Sequence, residues 1–271
     1  MSTFEAMILG LVQGLTEFLP ISSSGHLRIV PAIAGWEDPG AAFTAVIQLG
    51  TMAAVLLYFR VDLWRIAVAF LRELRLPFRE RSVDANLGWF IVLGTIPISI
   101  FGLVLSSQIE SGARDLYLIG AMLIAFSFVM LVAERVGSRR REIEEMDARD
   151  GLSIGFAQAL ALIPGVSRSG ATISAGLLRN FDRAAAARYS FLLSVPAVVL
   201  SGLFELKDIG DGSGVGAAPT IIATLVAFAT GYVAIAWLLR YLAGHTLSVF
   251  VAYRIPLGIL VIALAASGAI S

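Results

Sequence analysis

Apolar residues run along this chain in long stretches that are separated by short polar segments. Six stretches reach roughly the 20 residues that an α-helix needs to cross the hydrocarbon core of a bilayer. They cover residues 41–59, 87–106, 116–134, 186–205, 217–239 and 248–268. The pattern predicts an all-α, polytopic membrane protein with six transmembrane helices.

Two further apolar regions, 4–34 and 151–179, are interrupted near their middle by Pro, Gly and Ser. The first break reads LPISSSGH at 19–26 and the second reads IPGVSRSG at 163–170. Each arm is too short to cross, and non-helical backbone at membrane depth must be buried in protein or line a wet cavity. We therefore predict two re-entrant helical hairpins. Two kinked full spans are the alternative.

The two broken regions also match each other without a gap. Gln13 matches Gln158 and Gly25 matches Gly170, both at a separation of 145 residues. This predicts a single membrane domain, 1–271, built from two repeats at about 4–134 and 151–268 with a linker at 135–150. Each repeat is one hairpin followed by three spans. Because three crossings is an odd number, the second repeat is inverted relative to the first.

Arginine is distributed unevenly between the two sides of the predicted membrane domain. The loops on the side that follows the first span carry almost all of the arginines, whereas the opposite loops carry only Arg114 and Lys207. The positive-inside rule makes the arginine-rich side cytoplasmic. The first hairpin then enters from outside, the second enters from the cytoplasm, and both termini lie outside.

Composition agrees with a membrane protein and excludes several classes of function. Of the 271 residues, 58% are hydrophobic and 15% are charged, too few charges to coat a soluble protein. The formal net charge is zero, which gives no electrostatic case for binding nucleic acid. Cysteine is absent, so disulfides, thiolate nucleophiles and Cys-ligated metals are excluded.

The two hairpins differ in ionisable character at three matched positions. The first hairpin has Glu17, Ser23 and His26 where the second has Leu162, Arg168 and Ala171. Ionisable groups inside a membrane are costly and usually functional. If the hairpin tips meet, an acid, an imidazole and a guanidinium converge there.

Arg168 lies in a Gly- and Ser-rich turn that opens into a helix. Such a turn offers backbone N–H groups and the positive helix end to an anion, and Arg adds a fork of donors suited to phosphate. Further predicted phosphate ligands in this turn are Ser167, Ser169, Gly170 and Thr172. The alternative is a helix cap with an arginine that extends to the interface.

The first hairpin offers candidates for acid–base chemistry and for metal binding. Gln13 and Glu17 are four residues apart and so share one helix face, where Glu17 suits a catalytic or metal-binding role. His26 suits a base or nucleophile, with a structural imidazole as the alternative. Ser22, Ser23 and Ser24 can cap the second arm, bind phosphate or supply a nucleophile.

Arg254 lies inside the last apolar stretch, where a charged side chain needs an explanation. It either extends to the cytoplasmic face or serves as a counter-charge in the cavity, and we place it among the phosphate-binding candidates. The second histidine, His245, follows Gly244 in a short loop and is given no role.

Two motifs carry a resemblance to a known family. QGLTEFLPISSSGH at 13–26 and PGVSRSGAT at 164–172 resemble the signature motifs of the bacterial undecaprenyl-diphosphate phosphatases of the bacitracin-resistance type. The similarity extends over essentially the whole chain, including VIQLG at 46–50 and Tyr253-Arg254. It implies hydrolysis of a polyprenyl diphosphate to the monophosphate and phosphate, which recycles the lipid carrier of cell-wall synthesis.

The resemblance also implies a divalent cation, Mg²⁺ or Ca²⁺, and an active site on the outer side of the bacterial inner membrane. By position, Glu17, Ser23, His26 and Arg168 are implied to be catalytic, with Ser167 and Thr172 assisting phosphate binding. The first motif position, often Glu in the family, is Gln13 here. The predicted metal ligands are therefore Glu17 and the weaker Gln13.

The sequence leaves two mechanisms open. In both, Arg168 and the amides of the second hairpin hold phosphate; the attacking group is either Ser23 activated by His26, or water activated by His26 and Glu17. The expected partners are the polyprenyl diphosphate and the bilayer, and a homodimer is allowed. The alternative function is a secondary transporter or flippase for a lipid phosphate or other anion, which would not need Glu17 and His26 beside Arg168.

Overall fold

The computed structural model of the protein describes residues 1–106, 112, 114–205 and 216–270. Over these residues the chain forms eleven α-helices and three short 3₁₀ turns, with no β-strand beyond one isolated bridge between Arg141 and Phe181. The α-helices are α1 (Thr3–Phe18), α2 (Ser23–Ala34), α3 (Gly40–Tyr58), α4 (Arg60–Arg72), α5 (Val83–Val104), α6 (Leu116–Val136), α7 (Ala148–Ala159), α8 (Arg168–Leu178), α9 (Arg183–Glu205), α10 (Ala217–Leu242) and α11 (Ser248–Ala266).

All six predicted spans are helical. Helices α5, α6, α9, α10 and α11 are each long and apolar enough to cross a membrane. The first predicted span, α3, meets the same test together with α4, and the two helices are bent by 75° relative to each other. The structure therefore supports a multi-pass membrane protein. Lys207, which entered the prediction of orientation, lies outside the described residues.

The segment that follows α3 was predicted to be a loop, but it begins with helix α4. The helix buries Ile66 on one side and leaves Val61, Trp64 and Leu71 exposed. Asp62 in its first turn accepts a hydrogen bond of 2.6 Å from Arg188 of α9. The apolar residues of α4 recur at helical spacing between arginines, a pattern that the sequence analysis did not use.

The two broken regions have the same local structure. Helices α1 and α2 are separated by a break at 19–22, and α7 and α8 by a 3₁₀ turn and a break at 163–167. Ser22 and Ser167, which start the second arms, both have φ of 76°, which is unusual for a residue other than Gly. Each serine side chain also caps its helix by accepting from the backbone N–H three residues later, at Gly25 and Gly170.

The arms of both hairpins are shorter than a membrane span. The longest, α1, has 16 residues, which gives about 24 Å at about 1.5 Å per residue against the ~30 Å hydrocarbon core. The predicted interruption of both apolar regions is therefore confirmed at the level of helix length.

Each hairpin packs on a span from the other half of the chain. Helix α1 lies along α10 and α7 lies along α5, and in both cases a glycine permits backbone contact. A Cβ placed at Gly10 would lie 2.3 Å from Ala223 O, and one placed at Gly155 would lie 2.5 Å from Gly94 O. Gly10 and Gly155 are related by the same separation of 145 residues as the motifs.

A buried carboxylate connects the start of the first arm and the end of the second arm of the second hairpin to the linker at 135–150. Asp150, in the first turn of α7, is fully buried and accepts from Arg141 at 2.7 Å and from Arg179, just after α8, at 2.5 Å. Burial opposes ionisation of Asp150, but the hydrogen bonds from Arg141, the backbone of Asp147 and Arg179 outweigh it and lower the pKa of the carboxyl. The hydrogen bond to Asp150 raises the pKa of Arg141 in turn.

Candidate active site

The tips of the two hairpins meet, as the sequence analysis required for convergence. Arg168, the first residue of α8, forms an ion pair through Nη2 with Oε1 of Glu17, near the end of α1. Oε2 of the same carboxylate accepts from Ser23 Oγ at 2.7 Å and from Gln13 Nε2 at 3.1 Å. The predicted common face of Gln13 and Glu17 is thereby confirmed, and Glu17 joins residues of both hairpins.

This cluster is largely shielded from solvent. Glu17 is 9% exposed and Gln13 is 2% exposed, while the side chain of Arg168 keeps 16% of its surface. Coulombic attraction between Arg168 and Glu17 is therefore poorly screened. Each group compensates the charge of its partner, so an anion that draws Arg168 away leaves Glu17 without its cationic partner.

Arg254 also joins the two tips. Its guanidinium donates to Pro20 O at 3.1 Å, to Gly165 O at 2.9 Å and to Ser127 Oγ at 3.1 Å, and the residue is fully buried. Pro20 and Gly165 are equivalent positions in the repeat. The structure places Arg254 between the hairpins as a donor to backbone carbonyls; its contact with phosphate stays a prediction.

His26 lies on the first turn of α2 and is 5% exposed. Its Nδ1 is 2.7 Å from Ser22 O and its Nε2 is 2.7 Å from the Tyr253 hydroxyl. Both ring nitrogens thus have protein partners, and Ser23 donates to Glu17. The arrangement favours Glu17 over His26 as the group that takes a proton from Ser23.

Most of the remaining predicted phosphate ligands hydrogen-bond within the two tips, and Ser24 alone among them is exposed. Ser22 and Ser167 cap their helices, and Ser24 and Ser169 lie within 3.3 Å and 3.2 Å of them through their hydroxyl oxygens. Gly170 donates its backbone N–H to the capping Ser167 Oγ at 3.2 Å. Ser169 Oγ donates to Leu19 O of the other tip at 3.1 Å.

Thr172 is fully buried one turn into α8. Its hydroxyl donates to Arg168 O at 2.8 Å and is 2.6 Å from Ser190 Oγ of α9. In this position Thr172 connects the helix that carries Arg168 to a membrane span. Its predicted contact with phosphate would require these two hydrogen bonds to change.

The cluster could hold a cation that takes few of its ligands from the protein, but it does not form a complete metal site. Within the described ranges, no group of three or more His, Cys, Asp or Glu residues could hold a metal ion. Mg²⁺ is commonly bound through one or two carboxylates together with substrate phosphates and water. Glu17, with the hydroxyl of Ser23 beside it, fits that mode, whereas Gln13 faces Glu17 through its amide N–H₂ group and would have to turn to offer its oxygen.

Two neighbours of the cluster were missed by the sequence analysis. Tyr253 contacts His26, and Thr51 Oγ1 lies 3.5 Å from Gln13 Nε2. Tyr253 was noticed only as part of the family resemblance, as was the segment just before Thr51. Spacing along the chain gives no signal for either contact, because 227 residues separate His26 from Tyr253.

Comparison with known proteins identifies the family of the chain. The family model described as bacitracin resistance protein BacA matches residues 6–260. A protein of Nocardioides sp. named undecaprenyl-diphosphatase is 54% identical over 98% of both chains. Proteins of the same name from Thermobifida fusca (53% identical, 100% of this chain and 93% of the relative) and, numbered 2, from Streptomyces coelicolor (51%, 100% and 97%) are similar to it as well. The chain belongs to the bacitracin resistance protein BacA family.

Proposed function

We propose that this chain hydrolyses undecaprenyl diphosphate to undecaprenyl monophosphate and inorganic phosphate. The relatives named above carry that activity in their names and align with the chain over its full length. The single observation that carries the proposal is the contact of one carboxylate, Glu17, with both the hydroxyl of Ser23 and the guanidinium of Arg168. A transporter of lipid phosphate would use the arginine but has no need of the Glu17–Ser23 hydrogen bond.

In this proposal Arg168 binds the terminal phosphate of the lipid. A guanidinium presents two parallel N–H donors to phosphate oxygens, and the start of α8 adds its positive end and free amides. The phosphate competes with Glu17 for the same guanidinium. Binding of the substrate therefore releases the carboxylate from Arg168.

Ser23 is the proposed nucleophile. Its proton passes to Glu17 Oε2, the atom to which it already donates, while Ser23 Oγ bonds to the terminal phosphorus. The phosphoanhydride bond breaks and undecaprenyl monophosphate leaves with the bridging oxygen. Water then attacks the phosphorus of the phosphoserine, the bond from Ser23 Oγ to phosphorus breaks, and Glu17 returns its proton to Ser23 Oγ, so that inorganic phosphate leaves and both residues are regenerated.

A divalent cation, Mg²⁺ or Ca²⁺, is part of the proposal. Glu17 would hold it through the oxygen that Arg168 now occupies, and Gln13 would become a second ligand if its amide turned so that the oxygen replaced the N–H₂ group that now faces Glu17. When bound, such a cation neutralises charge on the diphosphate. The tests of substrate hydrolysis below include a chelator for this reason.

The architecture that we propose is an inverted repeat with two re-entrant hairpins. Equivalent glycines of the two hairpins pack on spans of the opposite half, and Arg254 holds equivalent carbonyls. In the proposed orientation the arginine-rich loops are cytoplasmic by the positive-inside rule, the first hairpin enters from the outer side of the bacterial inner membrane, and both termini lie outside. The active site then opens outward, and self-association into a homodimer stays a prediction.

Labelling of single cysteines tests this orientation, because the natural chain contains none. Ser138 and Glu37 are both exposed, on opposite predicted sides. We expect Glu37→Cys to react with an impermeant reagent in intact cells, and Ser138→Cys to react only after the inner membrane is permeabilised. The reverse pattern would contradict an outward-facing site.

The proposed activity is tested by phosphate release from undecaprenyl diphosphate by the purified protein. We expect equal amounts of inorganic phosphate and undecaprenyl monophosphate, with loss of turnover in the presence of a chelator and recovery on adding Mg²⁺ or Ca²⁺. Binding of the lipid without release of phosphate would contradict hydrolysis. Full turnover in the presence of a chelator would contradict the requirement for a divalent cation, but not hydrolysis.

A further inference from the structure

The hydrogen bonds of His26 with Ser22 and Tyr253 indicate the protonation pattern of the imidazole. Ser22 O can only accept a hydrogen bond, so the Nδ1 atom 2.7 Å from it must carry the proton. In the neutral ring Nε2 then has a lone pair, which receives the Tyr253 hydroxyl at 2.7 Å. The two rings are also stacked, with their centroids 5.6 Å apart and their planes 12° apart.

His26 in turn holds the turn from which Ser23 projects. Both its Nδ1 and its backbone N–H, at 3.2 Å, bond to Ser22 O. Ser22 has the positive φ that marks the tip of the first hairpin. The chain of contacts therefore runs from α11 through Tyr253 and His26 to Ser22, and Ser23 is the next residue.

The following residue of α11 acts on the same tip. Arg254 donates to Pro20 O, two residues before Ser22. The adjacent side chains of Tyr253 and Arg254 thus hold the first tip on both sides of its strained serine, one through an imidazole and one directly. A small movement of this turn changes the distance between Ser23 Oγ and Glu17.

We propose that Tyr253 is a positioning residue for catalysis, which holds the imidazole of His26 in place through Nε2 and thereby, through Ser22, fixes the position of the Ser23 hydroxyl. This inference rests on the proposed function, because it assigns a role to Ser23 in hydrolysis. Tyr253 itself does not contact the reacting phosphate. It orients the nucleophile in the way that outer groups orient the residues of other active sites.

Tyr253→Phe removes the hydroxyl and keeps a ring that can stack on His26. We expect kcat for phosphate release to fall on the order of tenfold to a hundredfold, with little change in KM. In a His26→Ala background the same substitution should cost nothing further, because its effect passes through the imidazole. Equal losses in both backgrounds, or a rise in KM at constant kcat, would overturn the proposal.

The chain offers a matched control. Tyr241 also stacks on a histidine, His245, with centroids 4.5 Å apart, but the Nδ1 of His245 bonds to the Tyr241 backbone carbonyl at 3.1 Å. Tyr241→Phe therefore removes a hydroxyl from a similar ring pair without removing a hydrogen bond to the imidazole. We expect it to leave kcat and KM unchanged; a loss equal to that of Tyr253→Phe would make the effect unspecific.

Spectroscopy of the imidazoles separates this inference from the proposed function. The chain has two histidines, so protein labelled in the ring nitrogens of histidine gives two assignable rings by NMR, with His245→Ala identifying each. We expect His26 as the Nδ1–H tautomer, and a shift of its Nε2 resonance in Tyr253→Phe but not in Tyr241→Phe.

An Nε2–H tautomer, or an unmoved Nε2 resonance, would overturn the role of Tyr253 even if the wild-type protein hydrolyses the lipid. Absence of hydrolysis by the wild type, with the expected spectra, would instead contradict the proposed function and leave the Tyr253–His26 bond established. The spectra of the wild type decide the tautomer even if Tyr253→Phe does not fold.

Discussion

The two hairpin tips have nearly the same backbone and very different chemistry. In each, a serine with φ of 76° caps the second arm, a second serine lies within 3.3 Å of the first, and one carbonyl is held by Arg254. The first tip carries Glu17 and His26, whereas the second carries Arg168. The shared features build the turns, and the reaction that we propose depends on the positions at which the repeat has diverged.

The largest effect is expected at Arg168, the charged residue of the second tip. Arg168→Ala removes the phosphate ligand and leaves Glu17 unpaired, so turnover should fall by about a thousandfold or more. Arg168→Lys restores a charge without the two-pronged geometry and should rescue poorly. Steady-state phosphate release measures both. Wild-type turnover by the Lys variant would contradict the bidentate contact. Wild-type turnover by the Ala variant would contradict the assignment of the site.

The next largest effect is expected on stability, at the two equivalent glycines where the hairpins pack against backbone. Gly10→Ala and Gly155→Ala each put a methyl group less than 3 Å from backbone of the opposite half. Because backbone cannot move aside easily, both should lower stability, by roughly 1–3 kcal/mol. Thermal unfolding in detergent measures it, with Gly244→Ala as control, since a Cβ there meets nothing within 4 Å. An effect of Gly10→Ala alone would contradict equivalent packing.

A pH-dependent effect on stability is expected at Asp150, in the first turn of the second hairpin. The lowered pKa of Asp150 means that its ionised form stabilises the fold above about pH 4, and that this contribution is lost as the pH falls through the lowered value. Asp150→Asn should therefore unfold at a lower temperature than wild type at pH 7, with a smaller gap below pH 4. Glu144→Gln, at an exposed carboxylate, should show no gap. A pH-independent gap would contradict the assignment.

The smallest effect is expected at Gln13, where this chain differs from the two-carboxylate form of the motif. Gln13→Glu keeps the shape and adds a charged oxygen ligand beside Glu17. If position 13 helps to hold the cation, the half-saturating concentration of Mg²⁺ or Ca²⁺ should fall. Metal titrations of phosphate release decide it. An unchanged midpoint would remove Gln13 from the cation site and leave Glu17 as its proposed carboxylate ligand.

Local pattern predicted much of the fold and part of the site. Hydropathy located the six long apolar helices, five of which are long and apolar enough to cross a membrane by themselves, and Pro, Gly and Ser located both breaks, because these signals depend on neighbouring residues. The repeat pointed to Glu17 and Arg168, whose contact is now seen. Helix α4 was missed because its arginines were counted as loop charges. The bonds of Tyr253 and Arg254 were missed because they join segments more than 80 residues apart.

The central claim is that the divergent residues of the two tips form one site, and a double-mutant cycle tests it most directly. The rate of phosphate release from undecaprenyl diphosphate is measured for wild type, Glu17→Gln, Arg168→Lys and the double variant, each at the same amount of folded protein. Because Glu17 and Arg168 are in contact, we expect the double variant to lose much less activity than the product of the two single losses. Losses that multiply in full would show that the two residues act independently, and would contradict a single site shared by the hairpins.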